Sequence, residues 1–169
     1  MDKEKAIKGI KIALQTELNG IEFYRIAAER TEDKKGKEVF QTLAYDEEKH
    51  YNELKRQYQH LIEENQWVPS IELTQPPTFS DDSPIFSPEL KNRIKDRHFE
   101  MSALSIGALL ETNSIDFYRK MKEEADDPVA QQLFENLQKW EEKHLEAITR
   151  QLDLLKEEYW ADAHFTPLY

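Results

Sequence analysis

The 169-residue chain has no cysteine and only four glycines. No disulfide, thiolate-held zinc or iron–sulfur centre, or cysteine nucleophile can form from it. Basic charge is short as well: 23 Lys and Arg stand against 34 Asp and Glu, for a net charge of −11. Nucleic-acid binding needs a basic patch, so no nucleic-acid partner is expected. The best apolar stretch, Ala103 to Leu110, is interrupted by Ser105 and Gly107. It falls far short of the ~20 residues of a membrane span, so no membrane partner is expected either. The opening MDKEKAIKG is charged from its second residue and offers no apolar signal-peptide core. The expectation is a cytoplasmic protein, one domain long, able to bury a core without staples.

What is present is helix-forming: Glu, Lys, Gln, Leu and Ala dominate outside one stretch. Five of the seven prolines, Pro69, Pro76, Pro77, Pro84 and Pro88, crowd into that stretch, which has no 3.6-residue period. The reading is a hairpin of helices near 3–30 and 34–63, then a Pro-rich connector over about 64–99 with a short helix near 88–97. A second hairpin follows over about 100–158 (helices near 100–125 and 128–158), and then an aromatic tail, 159–169, expected to cap a bundle end or a dimer surface. Asp127 before Pro128, and Ser87 before Pro88, are helix starts by capping chemistry.

The two hairpins are copies. A shift of 94 residues lays Ile10–Leu61 over Leu104–Leu155 without a gap, and 18 of the 52 paired positions are identical. ELNGIEFYR (Glu17–Arg25) meets ETNSIDFYR (Glu111–Arg119), and EEKH (Glu47–His50) meets EEKH (Glu141–His144). The apolar stripes of the four helices carry the chemistry. Helix 1 reads Ile10, Leu14, Glu17, Ile21, Tyr24; helix 2 reads Phe40, Leu43, Glu47, His50, Leu54. Helix 3 reads Leu104, Ala108, Glu111, Ile115, Tyr118; helix 4 reads Phe134, Leu137, Glu141, His144, Ile148. Each stripe has one Glu where an apolar residue belongs, and two have a His one turn later. An ionised carboxylate in a core costs several kcal/mol even after relaxation, and four together repel.

Their heights agree. Glu17 lies 13 residues before Arg30 and Glu47 lies 13 after Lys34, about 20 Å of helix on each side of the turn. Antiparallel packing therefore puts four Glu and two His in one layer of a four-helix bundle. Two divalent ions cancel four carboxylates, with the imidazoles as neutral ligands, so charge balance points to a two-metal site. The readings against this have weight one at a time: a single Glu-x-x-His in so Glu-rich a chain is ordinarily a solvated helix face. Two copies at equivalent stripe positions, each facing a lone Glu, reverse it.

One Glu from each of two helices with Glu-x-x-His from each of the other two is the ligand set of ferritin-like di-iron carboxylate proteins. The chain resembles the rubrerythrin-like branch of that superfamily, on the ELNGIEFY and ETNSIDFY segments and both EEKH motifs. The resemblance implies an all-α, ferritin-like antiparallel four-helix bundle made of two repeated helical hairpins joined by a long crossover connector. It also implies iron ligands Glu17, Glu47, His50, Glu111, Glu141 and His144, with Glu47 and Glu141 as candidates to bridge two iron ions and Glu17 and Glu111 terminal. Two departures stand out. Rubrerythrins proper carry a rubredoxin domain whose iron is held by four Cys, and this chain has none. They also carry a further carboxylate one turn after the helix 3 Glu, at the position of Ser114. What is left is the symmetric six-ligand set also seen in bacterioferritin-like proteins.

The function expected from this resemblance is a non-haem di-iron oxidoreductase. Two ferrous ions each give one electron to hydrogen peroxide or dioxygen, and a separate rubredoxin-like or flavin protein returns them. Carboxylate–imidazole ligation with open positions suits iron or manganese better than closed zinc, although Mn or Zn can substitute. Tyr24 and Tyr118, seven residues after Glu17 and Glu111 and so on the same helix faces, are expected to donate hydrogen bonds to the carboxylates, or to be plain core aromatics. One alternative makes iron the substrate, as in a ferroxidase of ferritin type; another is a helical interaction module with no chemistry. Phe23, Phe117, Leu43 and Leu137 read as core. Glu48, Glu142, His60, His98 and His164 read as surface residues, and Asn19 and Asn113 as off the ligand stripe. The connector must return the length of helix 2, roughly 40 Å, and its extended reach of up to ~75 Å is ample. It also suffices to hand the second hairpin to a neighbour, so a homodimer is expected and a swapped dimer completing each site in trans stays open.

Overall fold

The computed structural model describes residues 2–70, 73 and 97–162. Four helices account for nearly all of them: α1 (Lys3–Arg30), α2 (Lys34–Glu63), α3 (Arg97–Glu124) and α4 (Pro128–Asp162). Among the described residues there is no strand, and no helix is long and apolar enough to cross a membrane. Capping follows the sequence. Asp2 accepts from the Lys5 amide and Asp33 from the Gly36 amide, both at 2.8 Å. Asp127 accepts from the Val129 amide at 2.8 Å, which satisfies donors the helix itself leaves unpaired.

Two helix limits differ from the sequence expectation. α3 begins at Arg97 rather than near 100, and α4 runs to Asp162 rather than 158. No Gly or Pro interrupts Arg97–Met101 or Leu155–Asp162, so nothing there stops the helical hydrogen-bond ladder. The short helix expected near 88–97 lies outside the described residues, apart from Arg97, which opens α3; so does the tail beyond 162.

Short turns make α1–α2 and α3–α4 antiparallel hairpins, and α1 meets α3 to join them. The core is divided. One cluster gathers around Tyr24, Phe40, Leu43, Leu104 and Ile148. The other gathers around Ala13, Leu54, Tyr118, Phe134 and Leu137. The repeat is visible in their packing: Tyr24 stacks on Phe40 at 6.4 Å and 22°, while Tyr118 stacks on Phe134 at 6.3 Å and 21°. Between these apolar plugs lies the polar layer.

The connector starts by folding back on α2. Asn65 takes a left-handed φ of 55°, a conformation Asn tolerates better than most residues. Gln57, fully buried, then brackets Val68: its amide donates to the Val68 carbonyl at 2.6 Å and accepts from the Val68 amide at 3.1 Å. Arg56 donates to the Pro69 carbonyl at 2.6 Å, Trp67 meets Phe134 edge-on at 5.7 Å, and Leu73 is fully buried. Gln57→Ala leaves two half-buried backbone groups without partners. The variant is expected to lose about 1–3 kcal/mol in urea unfolding while binding as much metal as the parent chain.

Candidate metal centre

All six in-stripe side chains meet inside the bundle, and none of them is more than 4% exposed. Ligand atoms of Glu17, Glu47, His50 and Glu141 lie within 4.8 Å of one another, and so do those of Glu47, Glu111, Glu141 and His144. Glu47 and Glu141 thus belong to both groups, while Glu17 with His50, and Glu111 with His144, belong to one each. All six come from one chain. His50 Nδ1 stands 3.1 Å from Glu47, 3.1 Å from Glu141 and 3.4 Å from Glu17. His144 Nδ1 stands 3.3 Å from Glu141, 3.5 Å from Glu47 and 3.8 Å from Glu111.

The helices place these groups by simple periodicity. Glu-x-x-His puts both side chains of a motif on one face, one turn apart. Gly20, one turn after Glu17, faces Glu47: a Cβ there would meet the Glu47 Cγ at 3.4 Å, an ordinary contact. Its counterpart Ser114 is buried, so the position where rubrerythrins proper carry another carboxylate faces inward but holds a hydroxyl.

Tyr24 and Tyr118 are fully buried, and each hydroxyl donates to a carboxylate of the opposite hairpin. Tyr24 donates to Glu111 Oε1 and Tyr118 to Glu17 Oε1. The carboxylates held this way are those that belong to a single group. The tyrosines are also core residues, so both readings of them apply.

Protons partition unevenly over the cluster. Burial, then the nearby Glu47 and Glu141, pushes Glu17 well above the usual carboxylate range; burial, then Glu141 and Glu47, does the same to Glu111. Burial also works against ionised Glu47, but contacts with Glu17 and both imidazoles prevail and hold it at about 2. In Glu141 the burial penalty is outweighed by the His50 charge and by contacts with both imidazoles, which hold it far below the usual range. Burial disfavours both imidazolium ions, yet the surrounding carboxylates, Glu141 foremost for His50 and Asp46 for His144, raise them well above 6.5. Burial, then the partner carboxylates Glu111 and Glu17, raises Tyr24 and Tyr118 well above 10, so both hydroxyls keep their protons.

The donor set fits divalent cations on this structure's own terms. Both Glu141 oxygens are buried and make no hydrogen bond among the described residues, although buried carboxylates ordinarily find donors. A carboxylate and imidazole set with no sulfur suits divalent first-row cations rather than the soft ions that thiolates select.

A family model described as Rubrerythrin matches residues 8–152. The chain belongs to the rubrerythrin family. No curated protein and no solved structure matched it. Membership of this ferritin-like di-iron family agrees with the all-helical bundle and with the buried Glu and His groups.

Leu43 and Leu137 are fully buried core, and Phe23 and Phe117 are half-buried against the two clusters. Glu142 is exposed and accepts from Gln138 at 2.7 Å, whereas Glu48 is half-buried and paired with Arg25. His98 is exposed, and His164 lies outside the described residues. His60 differs from expectation: it is half-buried, 3.4 Å from Glu64, because residues four apart share a helix face. Asn19 and Asn113 are exposed, and Asn19 accepts from Gln15 at 2.9 Å.

Sequence reasoning missed Asp46 and Trp140. Asp46 is 3% exposed; its Oδ2 stands 3.5 Å from His144 Nε2, and its Oδ1 accepts from Lys49 at 2.8 Å. Trp140 meets His50 edge-on at 5.2 Å. Under the 94-residue shift these two positions coincide, so the unlike pair just before the two EEKH motifs was the available signal.

Proposed function

We propose that this rubrerythrin-family chain is a cytoplasmic di-iron oxidoreductase that reduces hydrogen peroxide, or dioxygen, with electrons from a separate rubredoxin-like or flavin donor protein. The observation that carries this reading is the convergence of four carboxylates and two imidazoles, three from each hairpin, in overlapping groups that share Glu47 and Glu141. Glu17 and His50 would hold one iron ion, Glu111 and His144 the other, with Glu47 and Glu141 common to both. Bound ferrous iron supplies the electrons that cleave an oxygen–oxygen bond. The chain's own residues do the rest. Tyr24 and Tyr118 fix the orientation of Glu111 and Glu17 across the hairpin boundary and keep a proton within the layer. The two apolar clusters close the layer above and below. With no cysteine, the chain offers no thiolate-held iron of its own to pass electrons, hence the external donor.

Tyr118→Phe removes the hydroxyl that holds Glu17 and leaves the ring stacking. The variant is expected to keep its iron and to be oxidised by peroxide about 10–100-fold more slowly in stopped-flow absorbance. Exposed Ile12 and its repeat partner Ile106, with Leu109, support a homodimer, which sedimentation would register.

Ser114 favours a second reading. Without a carboxylate there, the site keeps the symmetric set of ferroxidase centres, and ferrous iron itself becomes the substrate. One experiment separates the two. The stripped protein is loaded with Fe(II) without air, and its oxidation by hydrogen peroxide and by dioxygen is timed. Faster reaction with peroxide supports the peroxidase; preference for dioxygen with continued iron uptake supports ferroxidation. Failure to hold iron at all leaves only a helical interaction module.

A further inference from the structure

The two halves of the polar layer match residue for residue at Glu17/Glu111, Tyr24/Tyr118, Glu47/Glu141, Lys49/Lys143 and His50/His144. Beside the ligand imidazoles they part at Asp46/Trp140, both buried; another unlike inward pair, Gly20/Ser114, carries no charge on either side. We propose that Asp46 makes the two cation positions unequal, so that the position served by His144 and Glu111 fills before the one served by His50 and Glu17. The inference rests on the metal-binding reading above.

The physical asymmetry lies behind the imidazoles. Both rings turn Nδ1 toward the carboxylates, and their Nε2 atoms face away from the cluster. Behind His144 stands the Asp46 carboxylate, 3.5 Å from Nε2. A carboxylate at that ion-pair distance favours the proton on Nε2, and with it the tautomer with a bare Nδ1, and makes that nitrogen a stronger donor to a cation. The ring packed edge-on against His50, at 5.2 Å, is Trp140, which also stands 6.5 Å from His144 and whose indole N–H can donate but never accept. The ion pairs of His50 among the described residues all run through Nδ1, whereas His144 also has one through Nε2, to Asp46.

Lys49 deepens the difference. Its ammonium is 2.8 Å from Asp46 Oδ1 and 5.3 Å above the Trp140 ring, so it locks the acceptor behind His144 and places positive charge on the His50 side. The repeat partner Lys143 instead pairs with Glu146 at 2.7 Å, on the surface. Asp46 is thus a positioning residue: it reaches a cation only through His144.

The test titrates the full chain, stripped of metal and labelled with 15N-histidine, with Zn(II) alone. Imidazole nitrogen resonances report which ring binds, and calorimetry gives the two constants. The expected result is a first equivalent that shifts His144 and a second that shifts His50, with dissociation constants at least tenfold apart. Asp46→Ala should weaken the first step by about 10–100-fold and leave the second unchanged. Asp46→Asn, which keeps an acceptor without the charge, should fall between them, and Trp140→Phe should preserve the order. Two ions bound with equal constants, or His50 filling first, overturns the inference and leaves the metal centre standing. No binding of Zn(II), Fe(II) or Mn(II) overturns both. Should Asp46→Ala fail to fold, the filling order in the parent chain still decides.

Discussion

Glu141→Gln is expected to abolish binding of both cations, whereas Glu17→Gln or Glu111→Gln should weaken one position and spare the other. The reason is the overlap of the two ligand groups: Glu141 contributes to each, as Glu47 does, while Glu17 and Glu111 contribute once. A neutral amide removes the negative charge that balances the cations and offers one weak carbonyl donor in place of two carboxylate oxygens. The neighbours of those oxygens at ion-pair distance are the two imidazoles, themselves ligands of the same cations, so they offer no compensating carboxylate. Metal counted by plasma emission after gel filtration should fall from two ions per chain to near zero for Glu141→Gln. It should fall to about one for Glu111→Gln, given a loss of at least 10–100-fold at the affected position. The stripped proteins should behave in the opposite sense. Glu17 and Glu111 are carboxylates that burial and like charge disfavour in ionised form, so replacing either by Gln is expected to raise the melting temperature of the stripped protein.

Raising the pH should destabilise the stripped protein and stabilise the loaded one. Four groups, Glu17, Glu111, His50 and His144, hold protons more tightly in the folded chain than in the unfolded one. Above 4.5 for the carboxyls and 6.5 for the imidazoles, the unfolded chain has released protons that the folded chain retains. Unfolding then releases protons, and stability falls as pH rises by about 1.4 kcal/mol per pH unit for each proton so held. Glu47 and Glu141 have the opposite sign, but their window lies below 4.5. Divalent cations displace the same protons, up to four per loaded chain, so apparent metal affinity should climb with pH. Melting curves between about pH 5.5 and 8.5 should show stripped and loaded proteins diverging. Parallel curves would contradict the proton partition.

Much of this was legible because duplication and helical period act together. A Glu in mid-stripe is an anomaly once; repeated 94 residues later, with its Tyr and its Glu-x-x-His partner, it defines a layer. The helix start at Asp127 was legible from capping chemistry. Which carboxylate each tyrosine grips was not. Spacing puts Tyr24 on the face of Glu17, but the crossing of α1 and α3 hands its hydroxyl to Glu111, and crossing geometry is set by packing rather than by period. Asp46 escaped for a related reason. It lies one residue off the ligand stripe, about 100° round the helix, and only the neighbouring α4 gives it a target in His144. The role of Gln57 also depends on tertiary placement, because only the returning chain supplies Val68 for it to bracket.

The most direct test is anomalous diffraction from crystals of the full chain loaded with Fe(II) or Mn(II) without air. Two peaks in the layer between the Tyr24 and Tyr118 clusters, one beside Glu17 and His50 and the other beside Glu111 and His144, with Glu47 and Glu141 between them, are the predicted result. An empty layer in crystals soaked to saturation, or peaks confined to surface carboxylates, would contradict it.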